Sequence, residues 1–235
     1  MRLDKYITET FDIQSRNKSL ELIKAGKVLV NNKIILKASF LVEGKEIITI
    51  KEEEFFVSRS AYKLKYFLED NNIDVKNKIA IDIGSSTGGF TQILLNNDVK
   101  SVTCVDVGSN QLHNSIKNDP RILVVENTDI RKFISKSNYE MVTCDVSFIS
   151  ILNILNDIDR LSSGEIIILY KPQFEVGRDI KRDNNGVVLD IEAIKHERAK
   201  FLVETEKLNW KLIVANKSKV AGKNGNVEEL FYFTK

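Results

Sequence analysis

The sequence predicts an α/β protein in which a mostly parallel sheet is flanked by helices and preceded by a small α+β module. From Ile79 to Tyr170, five apolar strand-like runs alternate with stretches of helical patterning, the signature of βαβ units. The first fifty residues have a different pattern, with two short helical stretches followed by strand-like pieces. The length of 235 residues allows one large domain plus one small one.

Residues 1–55 form the predicted small module. Apolar residues within 3–7 and 20–23 define two short helices, and Gly26 ends the second one. The stretch 28–35 has an Asn-Asn turn between apolar pairs, which predicts a hairpin, and 47–50 offers a third strand. Nine Lys and Arg against six Asp and Glu give residues 1–50 a local charge of +3, whereas the whole chain carries only +2. Any surface for nucleic acid must therefore be local.

Residues 56–235 form the predicted large domain, which begins after the charged run Lys51–Glu54. A long helix over 190–208 precedes two further strands, which we expect to be antiparallel because a short glycine-containing loop joins them. The predicted strands are 79–83, 102–105, 122–125, 141–146, 166–170, 210–215 and 229–233.

Composition excludes several classes of protein. No apolar run approaches the roughly 18 residues of a membrane helix and the start of the chain is charged, so we expect a cytoplasmic protein without membrane insertion. His113 and His196 lie far from any Cys/His cluster, and we expect no metal. With a strand order of 3-2-1-4-5, Cys104 and Cys144 would lie about 9.6 Å apart, too far for a disulfide, and should be free buried thiols.

The strongest motif follows the first strand of the large domain, where Asp82-x-Gly84 leads into Gly88-Gly89 at a helix start. In doubly wound sheets, ligands bind outside the carboxyl ends of the strands, where glycines let the backbone approach them. The spacing differs from the dinucleotide-binding fingerprint, and an acid at this tip suits a ligand with a positive end. S-adenosylmethionine, with an amino group and a sulfonium, is such a ligand; the alternative is a tight turn capped by the acid.

Charged residues also end the other strands. Asp106 is placed to accept ribose hydroxyls, although an acid followed by Ser-Asn is also typical of a helix cap, and Asp129 could meet the adenine. Asp145 is open to a capping interpretation as well. Lys171, delivered by an apolar strand and followed by proline, favours function because a buried lysine is costly unless paired.

Two further pieces flank the sheet. A helix capped by Ser58 presents Ala61, Leu64 and Leu68 as its apolar face and carries Lys63 beside it, which alone is typical of a solvent-facing lysine. Before the last strand, Glu228 and Glu229 must point opposite ways, so one of them can face the crevice.

Taken together, these residues resemble the TlyA family, which comprises haemolysins and ribosomal RNA 2'-O-methyltransferases. The resemblance spans essentially the whole chain. Its most specific parts are Ser58-Arg59-x-Ala61-x-Lys63-Leu64, Asp82-x-Gly84-x-Ser86-Thr87-Gly88-Gly89-Phe90-Thr91, Val105-Asp106-Val107-Gly108, Asp145-Val146-Ser147-Phe148-Ile149-Ser150 and Lys171-Pro172-Gln173-Phe174-Glu175.

The resemblance implies two domains and their partners. Residues 56–235 would be a Rossmann-like, seven-stranded methyltransferase domain of the FtsJ type that uses S-adenosyl-L-methionine. Residues 1–55 would be an RNA-binding domain of the ribosomal-protein-S-four type. The partner would be ribosomal RNA or a ribosomal subunit, and the oligomeric state is left open. Without the terminal extensions of longer relatives, the chain resembles the short form, which implies a cytidine of the large-subunit RNA.

The resemblance also implies the site residues. A Lys-Asp-Lys-Glu tetrad would fall on Lys63, Asp145, Lys171 and Glu228, with Glu229 as the alternative fourth member. The cofactor-binding set would be Asp82, Gly84, Ser86, Thr87, Gly88, Gly89, Phe90, Asp106, Val107, Asp129 and Asp145. The RNA-binding set would be Arg2, Lys5, Arg16, Lys18, Lys27 and Arg59.

Methyl transfer to a ribose hydroxyl needs a group that removes the proton, and a buried lysine beside a second ammonium can do so. Lys171 is our candidate base, oriented by Asp145, while Glu228 positions Lys63. The alternatives are a non-catalytic RNA- or ribosome-binding protein and a directly membrane-active haemolysin. The intact tetrad argues against the first, and the lack of a long or amphipathic segment argues against the second.

Overall fold

The computed structural model describes residues 1–11, 13, 15–50 and 56–235. The chain divides into two compact units, 1–55 and 56–235. The charged run 51–54 and Phe55, where the sequence suggests a domain boundary, lie outside the described residues.

Unit 1 has two helices and a three-stranded antiparallel sheet in the order β2-β1-β3. The expected hairpin is confirmed, because Asn31 and Asn32 both adopt positive φ (50° and 64°), as a tight two-residue turn demands. The second helix ends at Lys24, just before Gly26 with φ +70°. The elements are α1 (Leu3–Thr10), α2 (Arg16–Lys24), β1 (Val28–Val30), β2 (Lys33–Ile34) and β3 (Ile48–Ile50).

Unit 2 is a seven-stranded sheet in the order β6-β5-β4-β7-β8-β10-β9, parallel except for β10, which is antiparallel to both of its neighbours. The expected order of the first five strands and the antiparallel final pair are confirmed. The elements are α3 (Arg59–Asn71), β4 (Ile79–Ile83), α4 (Gly89–Asn96), β5 (Ser101–Val105), α5 (Asn114–Lys117), β6 (Ile122–Val125), β7 (Tyr139–Cys144), α6 (Leu155–Leu161), β8 (Ser162–Tyr170), α7 (Pro172–Glu175), α8 (Ile191–Lys207), β9 (Lys211–Lys217) and β10 (Glu229–Thr234).

Side chains alternate across the sheet to form two cores. On β8, Ile167 and Leu169 pack on the face covered by α3 and α4, whereas Ile166, Ile168 and Tyr170 pack on the face covered by α6 and α8. This two-residue period places helices on both faces of the sheet. As expected, Cys104 and Cys144 are buried free thiols, and burial raises the pKa of Cys104 to about 12.

Some local expectations are wrong. The strand β7 ends at Cys144 rather than Val146, so Asp145 lies in the following loop. Ser58 occupies the position before α3, but its hydroxyl pairs with Ser60 Oγ (2.7 Å) and makes no cap hydrogen bond. Asp106 and Asp145 cap no helix, because the next helical turns are capped by His113 and Ser150.

Among the described residues, no helix combines the length and apolarity needed to cross a bilayer. This is consistent with the sequence pattern, in which charged residues interrupt every apolar run.

Candidate functional site

The site lies at the carboxyl edge of the parallel strands. The strand β4 is followed directly by Gly84, β5 by Asp106, β7 by Asp145 and β8 by Lys171. Because parallel strands point the same way, their tips meet at one edge of the sheet, and ligands bind there in open α/β folds. Two cavities of about 400 Å³ and 520 Å³ open at this edge, and both are bordered by Gly84, Ser86, Asp145, Ser147 and Phe148.

The predicted catalytic side chains meet at the second, 520 Å³ cavity as two ion pairs. Lys63 Nζ donates to Glu228 Oε2 (2.5 Å), and Lys171 Nζ lies 2.6 Å from Asp145 Oδ1. Lys63 and Lys171 are each only 8% exposed. The structure therefore brings all four residues together, and Lys63 is buried, which contradicts its interpretation as a solvent-facing lysine.

The two adjacent glutamates have different partners. Glu228 is 3% exposed and faces Lys63, whereas Glu229 begins β10 and pairs with Arg198 (2.9 Å). Period-two alternation accounts for this division, because neighbouring side chains leave a strand on opposite sides.

Burial of two lysines requires partners, and each has them. Lys171 also donates to Ser147 Oγ at 2.8 Å, and Gln173 Nε2 donates to Glu228 Oε1 at 3.0 Å. Burial raises the pKa of Asp145 above its ordinary value, against the opposing charge of Lys171. Sequence reasoning assigned no role to Ser147 and Gln173; their positions two residues after Asp145 and Lys171 are the signal that could have found them.

An aromatic pair stands at the mouth of the cavities. Phe148 is 92% exposed and adopts φ +67°, a rare conformation for a bulky residue. Its ring centroid lies 5.2 Å from that of Phe174, and Lys171 Nζ lies 5.9 Å from the Phe174 centroid. Strained residues of this kind cluster at ligand sites, and a solvated phenyl ring offers a stacking surface.

The cavity walls include most of the predicted cofactor-binding residues. Asp106 borders the first, 400 Å³ cavity with its carboxylate held in place by the backbone amides of Ser86 (2.8 Å) and Gly108 (2.7 Å). Val107 and Asp129 border the same cavity, although Asp129 also pairs with Arg131 (2.5 Å), which lowers its pKa to about 2. Thr87 and Phe90 border the second cavity.

Asp82 lies at the floor of the second cavity, among the residues that border it. It is fully buried and accepts hydrogen bonds from Thr91 Oγ1 (2.7 Å) and Thr143 Oγ1 (2.8 Å). Burial, the largest influence, raises the pKa of Asp82 to about 6. Gly84 lets the backbone close in above it, because a Cβ there would lie 2.9 Å from the Asp145 carbonyl oxygen.

Gly88 and Gly89 border neither cavity. A Cβ on Gly88 would meet Ile116 and Leu112, and one on Gly89 would meet Ser58, Ser60 and Ala61. These contacts indicate a packing role at the start of α4, and the assignment of Gly88 and Gly89 to cofactor binding stays a prediction.

Two of the predicted RNA-binding residues of unit 1, Arg2 and Arg16, pair with one buried carboxylate. Asp4 is 1% exposed and pairs with both Arg2 (3.1 Å) and Arg16 (2.8 Å), whose side chains stay about half exposed. Both arginines thus present fixed guanidinium groups. Hydrogen bonding from Arg2, the largest influence, lowers the pKa of Asp4 to about 2.

The remaining predicted cations differ in their surroundings. Lys5 and Lys18 form loose helical ion pairs, with Glu9 (3.8 Å) and Glu21 (3.5 Å). Lys27, in unit 1, is half-buried, whereas Arg59, in unit 2, is exposed and borders the second cavity.

Comparisons with known proteins give a family match for each of the two units. Residues 56–235 match the FtsJ-like methyltransferase family, and residues 1–48 match the S4 domain. A "23S rRNA (cytidine-2'-O)-methyltransferase TlyA" of Campylobacter jejuni is 47% identical and is covered over 100% of both chains. A "16S/23S rRNA (cytidine-2'-O)-methyltransferase TlyA" of Mycobacterium tuberculosis is 34% identical over 97% of this chain and 87% of its own.

A solved structure of a candidate hemolysin from Streptococcus thermophilus has a TM-score of 0.72 at 29% identity. It covers 100% of this chain and 88% of its own. The similarity therefore extends over both units of the chain.

Proposed function

The chain belongs to the TlyA family of FtsJ-like methyltransferases and carries an S4 domain, and from this we propose that it methylates the 2'-hydroxyl of a cytidine in ribosomal RNA. The observation that carries the proposal is the convergence of Lys63, Asp145, Lys171 and Glu228 beside one cavity. Large-subunit RNA is favoured because the relative at 47% identity bears a 23S name. An rRNA substrate would also place the protein in the cytoplasm.

We assign the methyl donor as S-adenosylmethionine because the residues at the strand tips fit its parts. The Asp106 carboxylate, fixed by two backbone amides, is suited to ribose hydroxyls, and the mostly apolar first cavity is suited to an adenine ring. The acids Asp82 and Asp145 favour a ligand with a positive end. When bound, the donor supplies an electrophilic methyl group.

The chain's own task is to take the proton from the ribose hydroxyl. Lys171 in its amine form would accept that proton, held in place by Asp145 and Ser147. Lys63, held by Glu228, would stabilise negative charge on the hydroxyl oxygen as it loses the proton.

The surroundings of the site suit a nucleic acid. Phe148 and Phe174 offer an aromatic surface for a nucleobase that has left its stack, a common mode of single-strand recognition. Arg59 at the cavity wall offers charge for phosphates. Within unit 1, considered by itself, Arg2 and Arg16 offer further guanidinium groups for phosphates.

The test removes the proposed base. Lys171→Ala should lower methyl transfer to ribosomal RNA at least a hundredfold, the usual scale for loss of general base catalysis. S-adenosylmethionine binding, measured by calorimetry, should persist, because the contacts assigned to Asp82, Gly84 and Asp106 do not involve Lys171. Lys200→Ala, an exposed lysine on α8, is the matched control and should behave like the unmodified protein.

Wild-type-like transfer by Lys171→Ala would remove Lys171 from the chemistry. A protein that binds the cofactor but methylates neither free ribosomal RNA nor subunits would support the non-catalytic alternative. Primer extension at low nucleotide concentration, on rRNA from cells with and without the protein, would identify the nucleotide.

A further inference from the structure

Gln173 stands between the two ion pairs of the site. It lies in α7, two residues after Lys171, so one short turn carries both side chains. Lys171 reaches Asp145, while Gln173 Nε2 donates to Glu228 Oε1 at 3.0 Å. The contacts thus run from Lys63 to Glu228, to Gln173 and along the backbone to Lys171.

Glu228 divides its two oxygens between two donors. Oε2 accepts from Lys63, and Oε1 accepts from Gln173. Gly222 packs closely against the same carboxylate, since a Cβ there would lie 2.5 Å from Oε1. A carboxylate that is 3% exposed has little solvent to replace a lost donor, so its direction depends on these two partners.

The orientation of the Gln173 amide is determined by Glu228. Turning the amide over would point its oxygen at a carboxylate oxygen, an unfavourable contact of two acceptors. In the observed orientation, Oε1 is buried and has no hydrogen-bond partner among the described residues. An unsatisfied Gln173 Oε1 costs free energy, and the hydrogen bond from Gln173 Nε2 to Glu228 offsets that cost.

We propose that Gln173 is a positioning residue that fixes the Glu228 carboxylate and, through it, aims the Lys63 ammonium at the reacting hydroxyl. The inference rests on the proposed function. Gln173 borders the second cavity, and in this role it acts through Glu228 instead of by contact with the reacting hydroxyl or the methyl donor. It acts on the rate of the chemical step and leaves cofactor binding and RNA docking unchanged.

Two substitutions separate this role from simple packing. Gln173→Leu keeps the approximate volume and removes the donor, so kcat should fall about tenfold while KM for RNA and the Kd for S-adenosylmethionine change less than twofold. Gln173→Glu keeps the shape, but its carboxyl donates to Glu228 only while protonated. Its kcat relative to the unmodified protein should therefore fall at least tenfold between pH 6 and pH 9.

The exchange Gln173→Glu with Glu228→Gln reverses donor and acceptor and keeps the total charge. It should recover at least fivefold in kcat over Glu228→Gln alone and lose the pH dependence. Glu175→Gln is the matched control on the same turn, because Glu175 contacts Ser150 and Ile151 and not Glu228. Its kcat ratio to the unmodified protein should be independent of pH.

Thermal melting at each pH shows that every variant is folded in the assay. A pH-independent ratio for Gln173→Glu, or an exchange that recovers nothing, would overturn the inference even if the unmodified protein methylates RNA. If the unmodified protein binds S-adenosylmethionine but transfers no methyl group to ribosomal RNA, the proposed function itself fails, and the two failures are therefore distinct.

Discussion

Asp82 is an acid in the middle of an apolar sheet, and its burial has a consequence for stability that depends on pH. Its pKa rises from 3.8 to about 6 in the folded protein, so the folded state holds the proton more tightly than the unfolded chain. The contribution of Asp82 to stability is therefore fully present below pH 4 and is lost as the pH rises through about 6. At 1.36 kcal/mol per unit, its ionisation costs about 3 kcal/mol at pH 7.

Asp82→Asn should remove that cost, because an amide stays neutral and can still hydrogen-bond Thr91 and Thr143. Measured by urea unfolding without cofactor, the stability of the variant relative to the unmodified protein should rise by about 2 kcal/mol between pH 4.5 and pH 7.5. Asp98→Asn, at an exposed aspartate, should show no such rise. A difference for Asp82→Asn that is constant with pH would mean that the acid is ionised throughout this range.

At the scale of elements, the joint between α3 and α4 places Lys63. Gly89 opens α4, and a Cβ there would collide with the hydroxyls of Ser58 and Ser60 and lie 3.0 Å from the Ala61 amide nitrogen. Lys63 follows on the same first turns of α3. The absence of one side chain on α4 thus allows α3 to approach closely enough for Lys63 to reach Glu228.

Gly89→Ala should push the two helices apart. Alanine favours helix, so propensity alone would stabilise the protein, whereas overpacking costs about 1–3 kcal/mol. We expect the free energy of unfolding, measured by heat or urea, to fall by about 2 kcal/mol and kcat to fall at least tenfold. Adding Ser58→Ala and Ser60→Ala to Gly89→Ala should restore part of the lost stability and part of the lost kcat. The double variant Ser58→Ala with Ser60→Ala, without the change at Gly89, is the control. An unchanged melting temperature and rate for Gly89→Ala would show that α3 and α4 can accommodate the extra methyl group without moving Lys63.

The elements differ in how far the sequence could predict them. Strands such as 79–83 and 122–125 match the predicted bounds because a continuous apolar run is local information in the sequence. The burial of Lys63 could not be predicted from α3 alone, because its partner Glu228 lies 165 positions later in the sequence. The short helix α7, which carries Gln173, is one turn long, too short for periodicity to reveal it.

At the scale of the whole molecule, the two units carry different features of the predicted function. The cavities at the sheet edge are bordered by residues of unit 2, whereas unit 1 has its own apolar core around Leu3, Ile7 and Ile23 and presents cations on α1 and α2. Composition predicted this division only as a local charge excess. It could not show that Asp4 is buried and pairs with both Arg2 and Arg16.

If unit 1 binds RNA through its exposed cations, loss of charge there should weaken RNA binding alone. Lys5→Gln with Lys18→Gln should flatten the dependence of log affinity on log salt by about 1.4–1.8, since each lost phosphate contact contributes about 0.7–0.9. Calorimetry should give an unchanged affinity for S-adenosylmethionine, and kcat at saturating RNA should hold. Lys200→Gln with Lys207→Gln on α8 removes the same charge from unit 2 and serves as the control. Equal slopes for the two double variants would mean that total charge, and not the surface of unit 1, attracts the RNA.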